Sequence, residues 1–223
     1  MLDEYVQIAS DDTADVISSS WGFGCENDTG APYAQAENVI FEQMALQGQS
    51  MFVASGDTGA FGCIRSTSGT TVINVDDPAE PWVTTVGGTS FESFNPLNDP
   101  DPHYPAGVET VWNVDNLCNI SSNEGGFPGF FWCAATGAGT GGNSQFWGRP
   151  FFQFGPNVTN RYSTYSNGTV ANCYLAARGT PCREVPDISA DADEFTGYSE
   201  YCTGNPNPPD FSICGTITAT PPG

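Results

Sequence analysis

Three short apolar segments, with a helical segment between the first two, constrain the fold of this chain more than any other feature. They are ADVISSSWG (14–22), SMFVASGD (50–57) and PWVTTVGGTSF (81–91). The helical segment has Pro32 in its first turn and Gly48 as a C-terminal stop. A strand, a helix and two further strands in this order indicate an α/β fold with a parallel sheet.

Two helices are predicted around these strands. The first covers residues 1–10, where apolar residues recur at helical spacing: Leu2, Tyr5, Val6 and Ala9. The second precedes Gly48, and we expect its buried side to carry four apolar residues: Val39, Ile40, Met44 and Leu46.

Small and polar residues follow the first two strands, in SSSWG and ASGDTG. Parallel strands end at the same edge of a sheet, and ligands bind there. Small residues also let the backbone approach a substrate closely. We therefore predict a cleft with Asp57 at its rim. The predicted substrate-binding residues around it are Ser20, Trp21, Gly22, Ser55 and Gly56.

The charge of the chain is strongly negative. Its 223 residues include 26 acidic and five basic side chains, for a formal net charge of −21 at pH 7. Such a surface argues against binding nucleic acid or anionic lipid. In acid many carboxylates would be protonated and their repulsion would fall, which suits a protein that works in acid; a solubility surface explains the charge equally well. No apolar run reaches the roughly 18–20 residues of a membrane span.

Eight cysteines in a loop-rich chain indicate disulfides and an oxidising compartment. The sequence does not settle their connectivity, but pairing of neighbours gives Cys25–Cys63, Cys118–Cys133, Cys173–Cys182 and Cys202–Cys214. With one histidine, His103, and no C-x-x-C pair, a zinc site is not expected. Four N-x-S/T sequons would suit a secreted glycoprotein; they begin at Asn27, Asn119, Asn157 and Asn167.

Five segments, taken together and in order, resemble the serine-carboxyl peptidases of the sedolisin–kumamolisin family. They are VISSSWG, ALQGQSMFVASGDTGAFG, DPAEPWVTTVGGTSF, GGNSQFWGRPFFQ and REVPDISADADEFTGY. The resemblance implies a subtilisin-like fold and secretion. It also implies hydrolysis of peptide bonds in acid through an acyl-enzyme, by an endopeptidase or a tripeptidyl peptidase.

The resemblance assigns a role to Asp57, which matches the oxyanion-hole residue of the family's SGD motif. A protonated carboxylic acid can donate a hydrogen bond to a developing oxyanion, and a carboxylate cannot. Ser20 and Gly22 match the segment whose backbone pairs with the substrate like an added strand. The expected partner is a protein or peptide, and we expect a monomer.

Other parts of the family pattern have no match in residues 1–223. The nucleophilic serine belongs to a GTSxxxP motif, whereas Ser90 in GGTS lacks the proline and is not assigned as catalytic. The family's Glu and Asp, four residues apart on a helix, are expected upstream of Met1. We therefore expect an incomplete catalytic domain, truncated at both ends and lacking the catalytic trio.

That partial domain is predicted to have three parts. A parallel-sheet core covers 1–95, a loop-rich, cysteine-containing insertion covers 96–182, and 183–223 returns to the core. Calcium is expected in the full-length family member, at a site beyond the C-terminus, and no cofactor is expected within this chain.

Three alternatives remain open. Asp57-Thr-Gly resembles the active-site triplet of aspartic peptidases, but those enzymes need a second such Asp, and no second DTG or DSG is present at a strand end. A non-catalytic secreted binding domain derived from a peptidase would keep a cleft without turnover. An incomplete gene product would leave strand edges unpaired and would not fold by itself.

Overall fold

The computed structural model describes residues 1–22, 26–57, 59, 79–91, 109–113, 138–155, 165–166, 169–170, 173–177 and 180–192. Its helices are α1 (Leu2–Asp11), α2 (Glu26–Thr29) and α3 (Ala31–Gln47). Its strands are β1 (Val16–Ser19), β2 (Ser50–Ala54), β3 (Thr84–Phe91), β4 (Glu109–Val111), β5 (Gly142–Gly148), β6 (Tyr165–Ser166), β7 (Thr169–Val170), β8 (Cys182–Val185) and β9 (Ile188–Asp191). A 3-10 turn covers Phe151–Gln153.

The main sheet is mostly parallel. Strand β2 pairs in parallel with β1 and β3, and β9 pairs in parallel with β3. Strand β4 runs antiparallel to β3, while β5–β8 and β6–β7 form two separate antiparallel pairs. The predicted α/β fold with a parallel sheet is therefore confirmed, and β1, β2, β3 and β9 all end at the same edge.

The core lies where the helices pack against the sheet. Met51 and Val53 alternate along β2 and so point to one face, where both are buried. Phe41 of α3 and Tyr5 of α1 belong to the same apolar cluster, and their ring centroids are 5.0 Å apart. The predicted N-terminal helix is thus confirmed, and it covers the sheet together with α3.

The predicted buried side of α3 was only half correct. Ile40 and Met44 are buried, but Val39 is 64% exposed and Leu46 is 83% exposed. Adjacent residues on a helix point about 100° apart, so Val39 cannot share the centre of a face with its neighbour Ile40. The predicted stop is confirmed, since Gly48 ends the helix in a left-handed conformation with φ of 91°.

A buried ion pair ties the β8–β9 turn to β3. Arg183 is fully buried, and its guanidinium lies 2.6 Å from a carboxylate oxygen of Asp187. The same guanidinium donates a hydrogen bond to the carbonyl of Val83 at 3.1 Å. Asp187 also accepts hydrogen bonds from the backbone N–H of Thr85 at 2.9 Å and from the Gln153 amide at 3.0 Å. These contacts fix where β9 begins.

Burial and neighbouring charges act in opposite directions on this arginine. Burial lowers the pKa of Arg183, while the carboxylates of Asp187, Glu80 and Glu26 raise it. Glu26 is also fully buried and accepts hydrogen bonds from the hydroxyl of Ser144 and from a backbone N–H of β5. The network therefore reaches α2 as well as the sheet.

One predicted disulfide is confirmed. Cys173 and Cys182 are bonded, with their Cα atoms 5.6 Å apart. The other six cysteines lie outside the described residues, as do His103 and three of the four sequon asparagines; the backbone of the fourth, Asn27, lies in α2. Within the described part of the chain, no helix has the length and apolar character needed to span a membrane.

Candidate active site

A cleft of about 240 Å³ lies at the edge of the sheet where the parallel strands end. Its walls are formed by residues 18–20 at the end of β1, 52–57 in and after β2, 86–88 of β3 and 190–192 at the end of β9, together with Trp112. The predicted cleft is therefore present at the predicted edge. Four strands contribute to it because β9 returns to the sheet beside β3.

Four of the six predicted site residues line this cleft: Ser20, Ser55, Gly56 and Asp57. Asp57 is exposed at the rim. The remaining two, Trp21 and Gly22, follow Ser20 on the surface and are not part of the cleft lining. Trp21 is 74% exposed. The structure thus brings the two strand ends together and leaves this tryptophan in solvent.

The loop that carries Asp57 is held by a short segment, residues 138–140, which we call the strap. The backbone N–H of Ala138 donates to the carbonyl of Asp57 at 3.1 Å, and that of Thr140 donates to the carbonyl of Gly56 at 3.0 Å. The N–H of Gly59 donates in turn to the carbonyl of Ala138 at 2.9 Å. Backbone bonds therefore fix the loop on both sides of Asp57.

Ser55 anchors the same loop from its other end. It is 3% exposed, and its backbone N–H donates to the carbonyl of Val86 on β3 at 2.9 Å. Its hydroxyl donates to the carbonyl of Thr140 in the strap at 2.7 Å. The hydroxyl is therefore engaged with the main chain, while Gly56 and Asp57 form the rim.

The strap itself is held against β3 by close backbone contacts. The N–H of Gly139 donates to the carbonyl of Trp112 at 2.9 Å, and the N–H of Trp112 donates to the carbonyl of Gly88 at 3.0 Å. A Cβ at Gly139 would lie 3.0 Å from that carbonyl oxygen of Gly88, and a Cβ at Gly87 would lie 2.6 Å from the ring of Pro186. These glycines permit the close approach that builds the cleft wall.

Among the cleft-lining residues that sequence reasoning missed are Trp112 and Asp191. Asp191 ends β9 as Ser19 ends β1, so the same strand-end rule would have found it had β9 been predicted. Trp112 follows the three-residue strand β4, and no period in the surrounding sequence marks it. Both residues reach the site through pairing with β3.

Ser90, which was not assigned as a nucleophile, lies in β3 and is 9% exposed. It faces Thr110 of β4 in the register of the sheet and is not part of the cleft lining. In the described part of the chain, no group of three or more His, Cys, Asp or Glu side chains is arranged to hold a metal ion.

Comparison with known proteins identifies the family. No family model matches the chain. Sedolisin of Pseudomonas sp. (strain 101) is 34% identical over 96% of this chain and 29% of its own length. Xanthomonalisin of Xanthomonas sp. (strain T-22) is 30% identical over 97% of this chain and 24% of its own length. The chain belongs to the sedolisin family of serine-carboxyl peptidases.

The structural comparison places this sedolisin-family chain in the same fold. A solved structure of Pseudomonas sedolisin, a serine-carboxyl proteinase complexed with two molecules of pseudo-iodotyrostatin, superposes with a TM-score of 0.57 at 30% identity. The match covers 88% of this chain and 43% of that one. Bovine tripeptidyl-peptidase 1 is 27% identical over 98% of the chain and 31% of its own length. The chain thus spans less than a third of the curated relatives it matches, and the predicted subtilisin-like fold and family are confirmed.

Proposed function

We propose that this chain supplies the substrate cleft and the oxyanion-hole donor of a secreted, acid-acting serine-type peptidase. The parent protein would hydrolyse peptide bonds through an acyl-enzyme, as an endopeptidase or a tripeptidyl peptidase. One observation carries the proposal. Asp57 stands at the rim of the cleft, three residues after β2 ends, and backbone hydrogen bonds to the strap hold its loop on both sides.

The chemistry of the site follows from where Asp57 stands. Attack on a peptide carbonyl places negative charge on its oxygen, and a fixed donor in a cleft stabilises that charge. A carboxyl group donates only while it is protonated, which favours acidic pH. Ser20 and Gly22, after β1, would present backbone to an extended peptide.

Two features of the chain support activity in acid and secretion. Its 26 acidic residues repel each other less in acid than at neutral pH. The Cys173–Cys182 disulfide is typical of an oxidising compartment such as the extracellular space. Monomeric state and glycosylation stay predictions.

The catalytic trio and calcium also stay predictions for the full-length protein. No segment of the chain matches the family's GTSxxxP motif, and we expect residues 1–223 alone to be inactive. The second candidate function, a non-catalytic binding domain, is favoured by one observation. Ser90, the serine of the GGTS segment, does not line the cleft and so is not placed to attack a bound peptide.

The deciding experiment uses the longest natural translation product that contains this chain. It is incubated with denatured protein and with fluorogenic peptides, from about pH 3 to about pH 7. We expect cleavage at the acidic end and loss of cleavage toward neutral pH, and the product lengths then separate endopeptidase from tripeptidyl-peptidase action. Peptide binding without cleavage at any pH would support the binding domain and overturn the proposal.

A further inference from the structure

We propose that Ser55 is a positioning residue, whose hydroxyl locks the strap to the Asp57 loop and so sets where the oxyanion donor stands. The inference rests on the proposed function for the role of Asp57. The attachment of the strap to the Asp57 loop by Ser55 does not depend on that function, and it is tested separately.

The loop needs an external restraint because of its own sequence. Gly56, directly before Asp57, adopts φ of 108°, a conformation that glycine reaches easily and also leaves easily. Asp57 itself is exposed, so side-chain packing does not fix the loop at this point. Hydrogen bonds to the strap must therefore do so.

Ser55 makes two hydrogen bonds that hold the loop, one to β3 and one to the strap. Its backbone N–H is bonded to β3 and its hydroxyl is bonded to Thr140, a residue 85 positions away in the chain. The next hydrogen bond along the strap, from the N–H of Thr140 to the carbonyl of Gly56, closes a small ring of contacts around the loop. Loss of the hydroxyl would leave the buried carbonyl of Thr140 without this donor and weaken the ring.

The strap can serve as an anchor because it is fixed independently of the loop. Gly139 bonds to Trp112, which bonds to Gly88 of β3. The strap therefore holds the Asp57 loop in a fixed position relative to β3. An oxyanion donor must lie about 2.7–3.1 Å from the oxygen it stabilises, so a small shift of the loop matters.

The activity test is Ser55→Ala in the longest natural product, with kcat and KM measured separately. We expect kcat to fall roughly 10- to 100-fold, because misplacement by about 1 Å can cost that much. KM should change little, because the Ser55 hydroxyl is bound to main chain and not free for substrate. A fall in kcat of less than about twofold, or a rise in KM alone, would overturn the inference.

A matched control is Ser144→Ala. Ser144 is also a buried serine, 2% exposed, but its hydroxyl bonds to Glu26 and it does not line the cleft. We expect this variant to lower Tm and to leave kcat unchanged. An equal fall in kcat in both variants would assign the effect to general destabilisation and overturn the positioning role.

A second measurement keeps the structural part testable if the parent protein proves to have no peptidase activity. Hydrogen exchange at the amides of Ala138, Thr140 and Gly59 should be slow in the wild type and faster in Ser55→Ala. Unchanged exchange would overturn the proposal that Ser55 locks the strap to the Asp57 loop, whether or not the parent protein has peptidase activity.

If Ser55→Ala does not fold, Gly139→Ala tests the attachment of the strap to β3, since its Cβ would press on the carbonyl of Gly88. It should speed exchange at the same three amides, and unchanged exchange in a folded Gly139→Ala would overturn the lock.

Discussion

Replacement of Asp187 by alanine should lower the free energy of unfolding by about 3–5 kcal/mol, the usual cost of leaving a buried charge without its partner. The charge is that of Arg183, which is 0% exposed and lies 2.6 Å from the Asp187 carboxylate. The magnitude depends on the burial of the guanidinium, because an exposed ion pair contributes only about 0–1 kcal/mol.

The hydrogen bonds of Asp187 account for part of this cost. Besides Arg183, its carboxylate accepts from the backbone N–H and the hydroxyl of Thr85 and from the amide of Gln153. A typical hydrogen bond contributes about 0.5–1.5 kcal/mol net, so the three neutral donors together account for roughly 1.5–4.5 kcal/mol. The buried Arg183 cation would lose its hydrogen-bonded carboxylate, which adds to this cost.

Urea unfolding of the longest natural product, followed by tryptophan fluorescence near neutral pH, measures the effect. Asp3→Asn on the exposed side of α1 is the control, and we expect it to change stability by less than about 0.5 kcal/mol. In an Arg183→Met background, Asp187→Ala should cost less than in the parent, roughly 1.5–4.5 kcal/mol, because only neutral donors then lose their acceptor. A cost below about 1 kcal/mol in the parent, or an equal cost in both backgrounds, would show that Asp187 does not stabilise the buried Arg183 charge.

Three further predictions follow from packing and cross-linking. Phe41→Ala should destabilise the fold by about 3–5 kcal/mol in the same assay, whereas Val39→Ala, on the exposed side of the same helix, should cost under about 0.5 kcal/mol. Reducing or replacing the Cys173–Cys182 bond, whose ends are nine residues apart, should cost about 2–3 kcal/mol from chain entropy, as measured by urea unfolding of a Cys173→Ser, Cys182→Ser double variant. Gly88→Ala should lower Tm, with a cost of about 1–3 kcal/mol, because its Cβ would lie within 3.2 Å of side chains in the cleft wall. Unchanged stability in Phe41→Ala, the double variant or Gly88→Ala would contradict the corresponding contact.

The parallel sheet could be predicted because its signals are local. Each of the first three strands is a short apolar run with small polar residues at or just after its end, and the helix before β2 stops at Gly48. Those signals also placed Asp57 at the correct edge, since the direction of parallel strands fixes where they end. The buried side of α3 was predicted less well, because Phe41 and Val39 are both apolar and only packing decides between them.

The rest of the site could not be read from sequence because it depends on contacts between distant residues. The strap has no side-chain pattern of its own. It is bonded through backbone atoms to Gly56, Asp57, Gly59 and Trp112, and its Thr140 carbonyl accepts from the Ser55 hydroxyl. Asp191 reaches the cleft only because β9 pairs with β3, about 100 residues earlier in the chain. Local propensity carries no information about such pairings.

The most direct test of the account is kcat for Asp57→Ala and Asp57→Asn in the longest natural product, across acidic and neutral pH. If Asp57 donates to the oxyanion, Asp57→Ala should lose roughly 10²–10³-fold in kcat. Asp57→Asn should keep much more activity and lose less of it as the pH rises, because an amide donates without being protonated. Unchanged kcat in Asp57→Ala would contradict the account, and so would an equal loss in both variants.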